Sequence, residues 1–128
     1  MTWTKPKIEH LVPTKWGWAV SYPENLHLRE GTDIGCFTYI MARENVYIGY
    51  DVQIGSHCSI YSVSTIDEKE GKVVIKENAK ICTHSSIMPG VTIGKNSVVG
   101  AHSFVDKDVP DDTLACGVPA KIIRKIKK

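Results

Sequence analysis

Histidine is the side chain whose ordinary pKa lies nearest neutrality, so it is the natural acceptor of a proton from an amine or hydroxyl about to attack a carbonyl. This sequence contains five: His10, His27, His57, His84 and His102. His84 and His102 follow the aliphatic residues Ile81 and Val99 at the same offset, and they lie 18 residues apart. His57 stands at that offset from Ile54, whereas His10 and His27 lie outside or at the start of the pattern described next and carry no expected role. Two polar side chains could contact a substrate beside such a base. Tyr61 offers a phenol, and Asp67 can orient an imidazole or attract a cationic amine. Cys36, Cys58, Cys82 and Cys116 are scattered with no CxxC pair, so neither a zinc site nor a redox motif is expected and the thiols read as reduced.

A repeat of six positions these groups. Aliphatic residues recur at Leu28, Ile34 and Ile40, at Ile48, Ile54, Ile60 and Ile66, and at Ile75, Ile81, Ile87, Ile93, Val99 and Val105. Four places after nearly every one stands a small or β-branched residue: Thr32, Thr38, Val52, Cys58, Ser64, Ala79, Ser85, Val91, Ser97, Ser103 and Val109, with Glu44 and Glu70 as the departures. A period of six matches neither a helix nor one long strand. It matches a coil of three short strands whose corners recur every six residues, so that 18 residues complete a turn and successive turns stack through parallel ladders about 4.8 Å apart. The aliphatic residue then fills a narrow lumen, and Gly35, Gly49, Gly55, Gly94 and Gly100 relieve crowding at the bends. On this coil His84 and His102 point outward and stack on one edge, while His57 points outward from a different corner.

The expected fold is therefore all-β: a parallel β-helix of about four coils over residues 28–109, in a single domain with an irregular cap over 1–27 and a closing segment over 110–128. Trp3, Trp16, Trp18 and Tyr22 are expected to cover the open end or meet a neighbouring chain. The closing run CGVPAKIIRKIKK is expected to form a turn and a last strand or short helix. The register breaks twice, between Ile40 and Ile48 and between Ile66 and Ile75. The second break, DEKEGKV, is polar and suits a loop leaving the coil beside an active site.

A net charge of +2 is too small for a nucleic-acid surface, although Lys121, Arg124, Lys125, Lys127 and Lys128 form a basic tail suited to a ligand's phosphates. No apolar run is long enough to cross a bilayer and the N-terminus lacks a secretory core, so neither membrane insertion nor export is expected and the protein reads as cytoplasmic.

The repeat together with IMPGVTIGKNSVVGAHSFVDKDVPDDTLACGVPAKIIRKI resembles the hexapeptide acyltransferases, which include maltose, galactoside and streptogramin acetyltransferases. The most specific runs are PGVTIG at 89–94, KDVP at 107–110 and GVPAK at 117–121. The resemblance implies a left-handed coil, a homotrimer with sites between subunits, and acetyl-CoA as co-substrate without a metal. Its CoA groove maps onto Gly100, Ala101, His102, Lys107, Ala120 and Lys121. It also implies acetylation of a sugar, free or nucleotide-linked, at an amino group or a hydroxyl.

One departure bears on the chemistry. In the maltose-acetyltransferase branch a catalytic His closes a run resembling IYTATH, and the run here is IYSVST, with Thr65 in that place. A threonine cannot act as a general base near neutral pH, so another histidine must, or the chain does not catalyse. His84, placed by the repeat one rung from Val63 on the same corner, is the expected base. The alternatives are a non-catalytic trimeric scaffold and a zinc hydratase like the γ-carbonic anhydrases, whose pair of histidines five residues apart is missing here.

Overall fold

The computed structural model describes residues 2–126, so Lys127 and Lys128 of the basic tail lie outside the described residues. Five rungs stack into a three-sided parallel β-helix. The first holds β1 (Ala19–Ser21), β2 (Leu26–Leu28) and β3 (Asp33–Ile34), and the second holds β4 (Tyr39–Met41), β5 (Val46–Ile48) and β6 (Gln53–Ile54). The third runs through β7 (Ser59–Tyr61), a hairpin of β8 (Val63–Ser64) and β9 (Lys69–Glu70), then β10 (Val73–Ile75) and β11 (Lys80–Ile81). The fourth holds β12 (Ser86–Ile87), β13 (Thr92–Ile93) and β14 (Val98–Val99). The last holds β15 (Phe104–Val105), a bridge at Val109 and β16 (Thr113–Gly117), on which β17 (Ala120–Lys125) folds back antiparallel.

Register explains the sequence period directly. Val20, Ile40, Ile60, Ile87 and Val105 align in the first sheet. Leu28, Ile48, Ile75, Ile93 and Val109 align in the second. Ile34, Ile54, Ile81, Val99 and Ala115 align in the third. Nearly all are buried, and each fully buried Ile contributes about 1.5–3 kcal/mol of hydrophobic stabilisation. The small residues work beside them. Buried Thr38, Ser85 and Ser103 donate hydroxyl bonds to backbone carbonyls, including Thr38 to Gly55 at 2.7 Å, which removes the cost of burying an unpaired polar group.

Two features differ from the expectation. The stack begins at β1, upstream of residue 28, because Val20 extends the first lumen column although the segment around it has lost the six-residue spacing. Ile66 is not a lumen residue: it is 94% exposed in the turn of the β8–β9 hairpin, and the lumen passes from Ile60 to Ile75. Its offset from Ile60 matched the repeat by coincidence. The closing segment takes the strand form of the two expected, with β17 folded back on β16 as a hairpin.

The hairpin leaves the stack undisturbed because its base is tied on both sides. Ser62 N–H bonds to Met41 O at 2.9 Å, Gly71 N–H bonds to Ser62 O at 2.9 Å, and Gly90 N–H bonds to Gly71 O at 3.2 Å. At the N-terminal end, Trp18 is buried, and the Trp3 indole N–H donates to Thr32 O at 2.9 Å.

Candidate active site

The corner between the third sheet and the next rung's first sheet is turned four times by a residue of positive φ: Phe37, His57, His84 and His102, at 64°, 57°, 60° and 57°. Such backbone is uncommon outside glycine, and histidine is among the residues enriched there. Because each corner repeats the same backbone, the four side chains leave it in the same direction. The rings form a ladder. Phe37 and His57 have centroids 5.0 Å apart, His57 and His84 stack at 4.6 Å with planes 5° apart, and His84 and His102 stack at 4.7 Å with planes 17° apart.

This placement corrects two expectations. His57 does not sit on a different corner: its strand β6 pairs with β11, which precedes His84. The extra residues between them are spent in the hairpin and add no corner. Nor does His84 share a corner with Val63. Val63 and Thr65 follow the first sheet, whereas His84 precedes it, so the two lie at opposite edges of that sheet.

His84 is exposed, and its pKa lies below the ordinary histidine value, first through partial desolvation and then through repulsion by His57 and His102. The neutral, proton-accepting ring is therefore favoured near neutral pH. Its Nδ1 lies 2.8 Å from Thr83 Oγ1, which itself lies 2.9 Å from Ser56 O and 3.3 Å from Ser56 Oγ. Ser56 Oγ is 3.1 Å from His57 Nδ1. Neither Ser56 nor Thr83 was singled out from the sequence, although the repeated Ser-His and Thr-His pairs at 56–57 and 83–84 were the available signal.

The other expected site residues divide between two edges of the first sheet. Gly100, Ala101 and His102 continue the His84 corner one rung on. Ala120 and Lys121 join them, since they pair with Gly117 and Cys116, and Gly117 N–H bonds to Ser103 Oγ at 3.1 Å. Exposed Lys121, Arg124 and Lys125 provide cations beside this strip of small residues. Tyr61, Asp67 and Lys107 lie on the opposite edge, at the end of β7, in the hairpin turn and after β15. Asp67 accepts from Ser64 Oγ at 3.1 Å. Between the edges, half-buried Tyr39, Met41, Tyr61, Met88 and Phe104 give the first sheet an apolar outer face.

Metal chemistry finds no convergent ligands among the described residues. Stacked imidazoles present their edges in one direction rather than toward a common point, unlike a tetrahedral zinc set. All four cysteines are free, with Cys58 buried and its thiol pKa pushed up by that burial. Among the described residues no helix is long and apolar enough to cross a membrane.

Comparison with known proteins agrees with this architecture. The family described as bacterial transferase hexapeptide (six repeats) matches residues 72–107. A galactoside O-acetyltransferase of Lactococcus lactis is 35% identical over 112 residues, covering 80% of this chain and 54% of the relative. The chain thus spans about half the length of that curated relative. The crystal structure of a hexapeptide-repeat containing acetyltransferase from Vibrio cholerae matches with TM-score 0.80 and 30% identity, over 87% of this chain and 68% of that one. A structure of that Vibrio protein complexed with acetyl coenzyme A matches with TM-score 0.78 and 28% identity, over 87% and 66%. Its rungs, lumen columns and closing hairpin, together with these matches, show that the chain belongs to the hexapeptide-repeat transferase family, with its left-handed parallel β-helix.

Proposed function

We propose that the chain is an acetyl-CoA-dependent acetyltransferase acting on a sugar, with His84 as general base. The observation that carries this reading is the His84 ring, exposed on the same corner as the small-residue strip and kept below its ordinary pKa by its surroundings. Acetyl-CoA supplies the acetyl group as an activated thioester. His84 takes the proton from the acceptor's O–H or N–H as that atom attacks the carbonyl, then gives it to the departing thiolate. Gly100, Ala101, His102, Ala120 and Lys121 line the donor's path on this edge. The names of the galactoside and Vibrio relatives support the acyl chemistry, and the former supports a sugar hydroxyl. An amino sugar, free or nucleotide-linked, is the second acceptor to test.

The division of the site residues between two edges supports a homotrimer. If the apolar first-sheet faces of three chains meet, the His84 edge of one chain adjoins the Tyr61, Asp67 and Lys107 edge of the next. Tyr61 and Asp67 then contact the acceptor, and Lys107 reaches the donor. Cyclic assembly closes such a head-to-tail arrangement.

Two measurements test the reading. His84→Gln should lower kcat about 100-fold or more with unchanged folding, the range expected for losing a general base. Calorimetric titration with acetyl-CoA should show stoichiometric binding to wild type and to H84Q. A folded protein that binds no acetyl-CoA would instead favour the scaffold alternative, and full turnover by H84Q would remove His84 from its role.

A further inference from the structure

We infer that Thr83 is a positioning residue: with Ser56, it fixes His84, and His57 beside it, as the tautomer that carries its proton on Nδ1 and leaves Nε2 free. The inference rests on the reading of His84 as a base and explains which ring atom does the work. It follows from counting protons. Thr83 has one hydroxyl proton, and among the described residues the partner of Thr83 Oγ1 that can never donate is the Ser56 carbonyl at 2.9 Å, so the proton goes there.

Thr83 Oγ1 is then an acceptor toward its remaining partners. His84 Nδ1, at 2.8 Å, must donate to it. Ser56 Oγ, at 3.3 Å, must also donate to it, which uses the serine's only proton. His57 Nδ1, 3.1 Å from Ser56 Oγ, is left as a donor. One arrangement satisfies all four contacts, and it gives both imidazoles the same tautomer.

The chain ends on a carbonyl that also accepts the His84 backbone N–H at 3.1 Å, so it anchors the ring and offers no route for relaying a proton away from Nδ1. Proton uptake and return both pass through Nε2. Stacking on His57 and His102 restricts the ring's tilt, and the bond to Thr83 sets its rotation. A hydroxyl one residue before the histidine is needed, and threonine or serine supplies it equally.

The test is nitrogen-15 NMR of the histidine rings at neutral pH, together with steady-state kinetics, for wild type, Thr83→Val and Thr83→Ser. The wild type should show His84 protonated on Nδ1. T83V should lose that preference and lower kcat about tenfold with little change in KM, as expected when the partner orienting an imidazole is removed. T83S should restore both. An Nε2-protonated His84 in the wild type, or T83V spectra identical to wild type, would overturn the inference. The NMR result is independent of turnover: if H84Q is fully active, the base assignment fails while the tautomer assignment stands on its own data.

Discussion

Gly55 links the packing of the helix to its chemistry, and Gly55→Ala is the substitution that exposes the link. A Cβ at Gly55 would lie 2.8 Å from Thr83 N and 3.0 Å from Thr83 Cα, whereas ordinary contact begins at 3.4 Å. The Thr83 backbone must therefore retreat by about 0.6 Å, and overpacking of this kind costs about 1–3 kcal/mol. Thr83 holds the His84 ring, so the shift passes to the proposed base. Since a misplacement of about 1 Å can cost about 100-fold in rate, G55A should lose about tenfold or more in kcat at saturating substrate. The control is Gly49→Ala. A Cβ there meets the backbone N of Glu77 at 2.7 Å, an equivalent clash on a corner that carries none of the histidine ladder. Both variants should lose similar stability in urea unfolding, and only G55A should lose turnover and perturb the His84 NMR signal. Equal kcat in the two variants, or no loss of stability in either, would refute the reasoning.

Other substitutions probe separate parts of the account. Removing a like-charged neighbour by His102→Gln should let the His84 pKa rise toward its ordinary value; because the neutral ring is the active form, the acidic fall in kcat/KM should then begin at higher pH than in wild type. An acidic limb that stays in place or moves to lower pH would contradict this. Ile81→Ala empties part of the lumen behind the His84 corner and should cost about 2–5 kcal/mol in denaturant unfolding. Shortening the β8–β9 hairpin to a tight turn should preserve acetyl-CoA binding but abolish turnover through loss of Asp67. Equimolar mixing of hairpin-shortened and H84Q chains should restore about a quarter of the wild-type rate if the two edges belong to neighbouring subunits. Calorimetry and a mixed-chain activity assay check these two outcomes, and no recovery on mixing would count against a shared site.

Much of the scaffold was readable from residue spacing. Within an unbroken run such as Ile75, Ile81, Ile87, Ile93, Val99 and Val105, lumen residues recur every six positions because each side of the coil sends one residue inward to stack on its counterpart one rung away. The glycines could be picked out because a Cβ at positions such as Gly35 or Gly94 would strike the backbone of the next rung, at 2.5 Å and 2.4 Å. Ile66 misled because it stands at the right offset from Ile60, although the charged Glu70 four places later breaks the small-residue rule and marks a segment that leaves the rung. The polar residues after it marked an excursion correctly, but not where the excursion began.

The sequence by itself determined the three-sided coil, its lumen and the outward direction of His57, His84 and His102, because these follow from a short-range period. Only the tertiary structure decided which outward residues meet. Ladder pairing counts rungs through space, and a hairpin tied at its base by Ser62 and Gly71 adds chain length without adding a rung. That is why His57 and His84, distant by any simple count of 18, stack face to face, and why Thr83 comes within reach of Ser56. The separation of His84 from Tyr61, Asp67 and Lys107 has the same origin: a sheet holds its two edges apart, whatever the sequence distance between the residues that occupy them.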